Sequence, residues 1–217
     1  MLFQKEYPAP PIDRREILRY AGAKEERPEI TPLLEEALKE ALPLLSYRVV
    51  YTLLPVKITC EAAELGTLSL PSRDLVKSLS GCDRAILFAA TLGLSFDRLI
   101  QKYTRLSPAK AVLLQGIGAE RIESLCNAFQ DEAAITYGAA RTRFSPGYGD
   151  LPLTFQKEMF SLLDCPRKIG LTLNESLLMS PTKSVTAIIG IPQNTECAAH
   201  AAHSCDTCHL TDCQFRK

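Results

Sequence analysis

A chain of 217 residues that is 46% hydrophobic is long enough for one sizeable domain or two small ones and can supply a real core. Lysine plus arginine equals aspartate plus glutamate at 25 each, so no net field draws the chain to nucleic acid or to an anionic membrane surface. No apolar stretch reaches the length of a membrane span, and the opening MLFQKEYPAPPIDRRE lacks the basic flank and apolar region of a signal peptide, so a cytoplasmic protein is expected.

The chain reads as mixed α and β. Asp13 caps a short helix, Arg14 to Tyr20, that Gly22 ends, and Thr31-Pro32 starts a second one that runs to about Leu45. Both should be amphipathic covers. Ser46 to Cys60, SYRVVYTLLPVKITC, has the composition of a strand or hairpin, with Pro55 marking an edge or a bend. Leu65 to Leu70 looks like another short strand, and Ser72 caps a helix that Gly81 stops. Arg84 to Thr91, RAILFAAT, is short, almost wholly apolar and bounded by turn signals, which predicts a buried strand. Ser95 opens a helix to about Arg105, and Ser107-Pro108 opens a long one reaching Tyr137.

Gly116 and Gly118 lie inside that long helix as GIGAE. The pattern follows a helical stretch instead of a strand and lacks a third glycine, so close helix packing explains it better than a dinucleotide site. There is no GxSxG, GxxxxGK[ST] or HExxH, and every histidine lies in the tail, at His200, His203 and His209. Hydrolase and P-loop readings therefore have little support. Cys60, Cys82, Cys126 and Cys165 are scattered beside apolar residues and read as buried thiols.

The run Arg143-Phe-Ser-Pro-Gly-Tyr-Gly-Asp150 combines a cation, two glycines, a proline and an aromatic ring. That is poor material for a core element and good material for a loop around a small polar ligand. Arg143 can hold a carboxylate in two parallel hydrogen bonds, and Gly147 and Gly149 let backbone N–H groups approach a ligand that a Cβ would exclude. A rigid Pro-Gly turn with Arg143 solvated explains the same residues equally well.

The stretch from Arg143 to Gly190 as a whole resembles the activation domain of cobalamin-dependent methionine synthase. The matching blocks are Arg143, Gly147 and Tyr148; Ile169-Gly170; Leu173-Asn174-Glu175-Ser176; and Pro181 with Ser184-Val185. The segments Ile17 to Gly22 and Ala90 to Gly93 suit the same family, which extends the resemblance over roughly residues 10 to 192. It implies an α+β fold, with a twisted, mainly antiparallel sheet and flanking helices over residues 1–192, followed by a separate tail, 193–217.

The resemblance also implies a chemistry. Such domains bind S-adenosylmethionine and present it to cobalamin on a neighbouring module whose cobalt has been oxidised to Co(II). One electron from a reduced flavodoxin or ferredoxin, followed by methyl transfer, restores methylcobalamin. Trapping Co(I) with a sulfonium methyl group draws an uphill reduction forward, and no general base is required. Arg143 would contact the methionine carboxylate, Ser145 and Gly147 would line the ligand through the backbone, and Tyr148, the candidate catalytic residue, would face both ligand and corrin. Thr186 to Gly190 would meet the adenosine end, with Ile189 and Gly190 where methionine synthase places aromatics. Asp13, Glu120 and Glu123 are candidate acidic partners for the sulfonium and amino group.

Cys197, Cys205, Cys208 and Cys213 crowd into the tail. Two thiolates two residues apart bind one metal through a tight turn, and two more complete a set for zinc or a [4Fe–4S] cluster. A cluster would pass an electron toward the corrin. The expected protein is thus a reactivation component for the cobalamin-binding module of a methionine synthase or another corrinoid protein. The competing reading is a non-catalytic, metal-stabilised module that docks on a corrinoid protein. A conventional methyltransferase would need a glycine-rich loop that is absent.

Overall fold

The most apolar strand expected from the sequence lies at the centre of the sheet. In the computed structural model, which describes residues 1–23 and 27–193, β5 (Cys82–Thr91) is buried at every position from Ala85 onward. It runs antiparallel between β2 (Arg48–Ile58) and β8 (Ser184–Pro192). The outer edge of β2 is paired first by β1 (Leu2–Glu6) and then by β3 (Ala63–Leu65), which forms a hairpin with β4 (Leu68–Leu70). The order is β4-β3-β2-β5-β8 with β1 beside β2, the antiparallel α+β architecture expected.

Two local expectations change. The stretch from Leu65 to Leu70 holds the last residue of β3, a two-residue turn and all of β4, because Gly66 takes φ +61 and reverses the chain. Pro55 is inside β2, opposite Arg84, where the outer neighbour of the strand changes from β1 to β3. The tail cysteines, Cys197, Cys205, Cys208 and Cys213, lie outside the described residues.

Alternation along β8 sends its side chains to two different layers. Ala187, Ile189 and Ile191 face α5 (Pro108–Tyr137), packing with Ile122, Leu125 and Phe129. Ile188 faces the other layer, which contains α3 (Arg73–Ser78) and α6 (Gln156–Leu163), through Leu75 and Met159. Phe88 of β5 and Phe129 of α5 meet ring to ring at 4.8 Å; truncating such a buried phenylalanine costs about 3–5 kcal/mol. After α6, the short α7 (Cys165–Ile169) leads into a hairpin of β6 (Thr172–Leu173) and β7 (Met179–Ser180).

The first half of α5 carries a helical layer, α1 (Arg14–Tyr20), α2 (Thr31–Ala41) and α4 (Leu94–Leu106), through Ile17, Leu34, Phe96 and Leu114. A Cβ at Gly116 would lie 2.6 Å from the carbonyl oxygen of Ile17, so GIGAE is a packing device. The expected caps are present: Asp13 accepts from the Glu16 N–H at 3.1 Å and Ser72 from the Leu75 N–H at 3.0 Å. Cys82, Cys126 and Cys165 are buried, and burial pushes the Cys126 and Cys165 thiols up to about 12. Cys60 is exposed, since it falls in the turn just past β2.

Candidate ligand groove at the open edge of the sheet

One edge of β8 is covered by β5. On the other, Phe144 exchanges two backbone hydrogen bonds with Ile188, at 2.9 and 2.8 Å, and the Arg141 N–H donates to the Gly190 carbonyl at 2.8 Å. Outward-facing backbone groups recur at every second residue of an antiparallel strand. Thr186 therefore turns its N–H and C=O to this same edge, beyond the point where the chain after Phe144 bends away. The result is a groove of about 1210 Å³.

The bend is a type II turn with Pro146 and Gly147 at its centre: Gly147 has φ +90, and the Tyr148 N–H donates to the Ser145 carbonyl at 3.1 Å. Gly149, at φ +53, packs so closely on α3 that a Cβ would sit 2.5 Å from Asp74 Oδ2. Asp150 ends the loop by accepting from Ser72 Oγ at 2.5 Å and from the Arg73 and Asp74 N–H groups at 2.8 and 3.2 Å. These bonds, that of Ser72 foremost, hold the Asp150 carboxyl below its ordinary range. The loop is thus fastened to β8 at Phe144 and to α3 at Asp150.

Arg143 enters the groove from the α5 side. Its Nη1 donates to Asn127 Oδ1 at 2.9 Å and Gln130 Oε1 at 3.2 Å, and its Nη2 to Glu123 Oε2 at 2.9 Å. Glu123, Asn127 and Gln130 stand at i, i+4 and i+7 on one face of the helix. Three of the five guanidinium hydrogens are engaged, which leaves Nε–H and one hydrogen of Nη2 for a ligand. Tyr148 borders the same groove and is 69% exposed, so its ring is available to whatever approaches.

The structure brings Arg143, Ser145 and Tyr148 together with Ser184, Val185 and Thr186, while Gly147 shapes the turn beneath them. Ile189 and Gly190 do not line the groove. Ile189 points into the core, and Gly190 is closed in by Leu79, Cys82 and Arg141. Of the acidic candidates, Glu123 borders the groove; Asp13 and Glu120 do not. Glu120 is buried against Arg121 and accepts from the Asp13 N–H at 3.2 Å. Arg121 in turn donates to the carbonyls of Pro10 and Pro11, which ties the N-terminal segment to α5.

Asp74, Asn127, Gln130 and Gln156 also line the groove, and the sequence did not single them out. The i, i+4, i+7 spacing of Glu123, Asn127 and Gln130 is the one signal that could have found part of this set. Among the described residues, no group of three His, Cys, Asp or Glu side chains is placed to hold a metal ion.

The family model described as the vitamin B12 dependent methionine synthase activation domain matches residues 125–206, from within α5 through the loop and β8 into the tail. No curated protein matches the chain. Among solved structures, the crystal structure of the MetH reactivation domain bound to AdoHcy superposes with a TM-score of 0.62 at 17% identity, covering 89% of this chain and 79% of that one. By sequence over residues 125–206 and by fold over 89% of its length, the chain therefore resembles the activation domain of vitamin B12 dependent methionine synthase.

Proposed function

We propose that this protein binds S-adenosylmethionine in the groove and supports reductive remethylation of oxidised cobalamin on a partner corrinoid protein, a methionine synthase that lacks its own activation domain. The observation that carries this reading is Arg143, held from behind by Glu123, Asn127 and Gln130 with two donors left over beside the open edge of β8. Those donors suit the carboxylate of the amino-acid moiety. The Thr186 backbone offers a donor and an acceptor to the adenosine end, and the exposed Tyr148 ring covers the ligand and meets the corrin. Asp74 and Glu123 bring carboxylate oxygens to the groove for the ligand's cationic groups, each paired there with a cation of the protein, Lys77 and Arg143.

One electron from a flavodoxin or ferredoxin and the methyl group of the sulfonium together restore methylated cobalamin, with S-adenosylhomocysteine left behind. These groups carry the chemistry, and the protein contributes orientation. In this reading Cys197, Cys205, Cys208 and Cys213 hold a [4Fe–4S] cluster or zinc, as a unit separate from residues 1–192, in a cytoplasmic protein. Among the described residues no helix is long and apolar enough to cross a membrane.

The test is to mix the protein with a corrinoid domain, S-adenosylmethionine and a reductant, and to follow conversion of the Co(II) spectrum to that of the methylated form. Calorimetry should show S-adenosylmethionine binding that Arg143→Ala weakens. Absence of binding by the wild type would replace this reading with that of a metal-stabilised docking module. Iron and zinc analysis of anaerobic protein tests the tail, and a colourless protein with one zinc would remove its electron role.

A further inference from the structure

Gln156 opens α6 on the face of the sheet opposite Arg143 and borders the same groove. It is only 6% exposed, and its Nε2 donates over a long 3.5 Å to Thr186 Oγ1. Its Oε1 is buried without a hydrogen-bond partner. A buried carbonyl oxygen left unpaired is costly, and such orphans are uncommon in folded proteins. Whichever way the carboxamide is turned, one end is engaged by Thr186 and the other is unmatched. The terminal torsion of glutamine is broad, so a modest rotation brings the free end to the groove.

We propose that Gln156 hydrogen-bonds the polar edge of the ligand's purine. The inference rests on the S-adenosylmethionine reading above and adds to it the residue that meets the base. Arg143 reaches toward α5, whereas Gln156 and the Thr186 side chain lie on the α6 side of β8. A ligand whose carboxylate is gripped by Arg143 passes the open backbone of Thr186 and delivers its far end, the base, to Gln156. The carboxamide oxygen accepts from an adenine amine, and the turned carboxamide donates to a 6-oxo group, so this side chain pairs with the polar edge of either base.

Removing the carboxamide leaves the edge of the base unmatched, and a side chain that can only accept admits only a base that donates. The experiment compares calorimetric affinities for S-adenosylhomocysteine and its deaminated counterpart S-inosylhomocysteine on the full chain. Wild type should bind both, and Gln156→Leu should weaken both by about tenfold, the scale of one neutral hydrogen bond left unmade. Gln156→Glu, which can only accept, should create a preference of about tenfold for the adenine form. That ratio is taken on one protein preparation, so partial loss of fold cancels. Affinities unchanged by Gln156→Leu, or a ratio that Gln156→Glu leaves as in the wild type, overturn the role of Gln156. Failure of the wild type to bind either compound overturns the S-adenosylmethionine reading itself.

Discussion

Two arginines pair with glutamates of the same helix, and they differ in what remains of their guanidinium groups. Arg121 is fully buried, and its Nε, Nη1 and Nη2 donate to Glu120, Pro10 and Pro11, with Ser124 beside them. Arg143 keeps 19% of its side chain exposed and has two hydrogens unassigned. The first arginine is engaged by its own chain at all three nitrogens and ties the N-terminal segment down. The second is held only from behind, which suits the ligand-binding role proposed for it. Neighbouring sequence does not distinguish them; the count of unmatched donors does.

The comparison breaks first at Arg121. Arg121→Ala should destabilise the fold by about 3–5 kcal/mol in urea unfolding, because it strands the buried Glu120 carboxylate. A loss below about 1 kcal/mol would mean that the cluster is not structural. Arg143→Ala should have the opposite profile, with stability changed by no more than about 1 kcal/mol and S-adenosylhomocysteine affinity reduced about 10- to 100-fold.

Asn127→Ala and Gln130→Ala sharpen the contrast, since neither side chain needs to touch ligand. Each should weaken ligands that carry the carboxylate by about three- to tenfold. Decarboxylated S-adenosylmethionine should bind these variants as it binds wild type; equal losses for both ligands would mean that the α5 row merely supports the fold.

The smallest effect is expected at Asp150. Its carboxyl is held below the ordinary aspartate range, so its contribution is complete above that range and lost as pH falls through the lowered value. The stability gap between wild type and Asp150→Asn should therefore be constant near neutrality and close below about pH 4. A gap that persists in acid would show that charge is not what fastens the loop.

Sequence reading succeeded where the signal is local. The caps at Asp13 and Ser72, the apolar run of β5 and the glycines of α5 each act within a turn or two of themselves. The Arg143 loop was visible because a turn that needs proline and two positive-φ glycines leaves a compositional mark. What escaped depends on distant partners. β1 shows no alternation of burial, and only its pairing with β2 makes it a strand. Gln156 is an ordinary polar residue at a helix start, and its meaning comes from Thr186, thirty positions away. Asp74 reaches the groove only because Asp150 and Gly149 bring the loop onto α3.

The ion pair between Arg143 and Glu123 also sets the groove's response to its ionic surroundings. With a carboxylate 2.9 Å from the guanidinium, this end of the groove presents hydrogen-bond donors with little net positive potential. Bare anions such as phosphate or sulfate gain only weak long-range attraction there, whereas a zwitterionic amino acid finds a donor for its carboxylate and an acceptor for its ammonium side by side. Selection at this position thus works through short-range geometry, which added electrolyte screens far less than it screens a field.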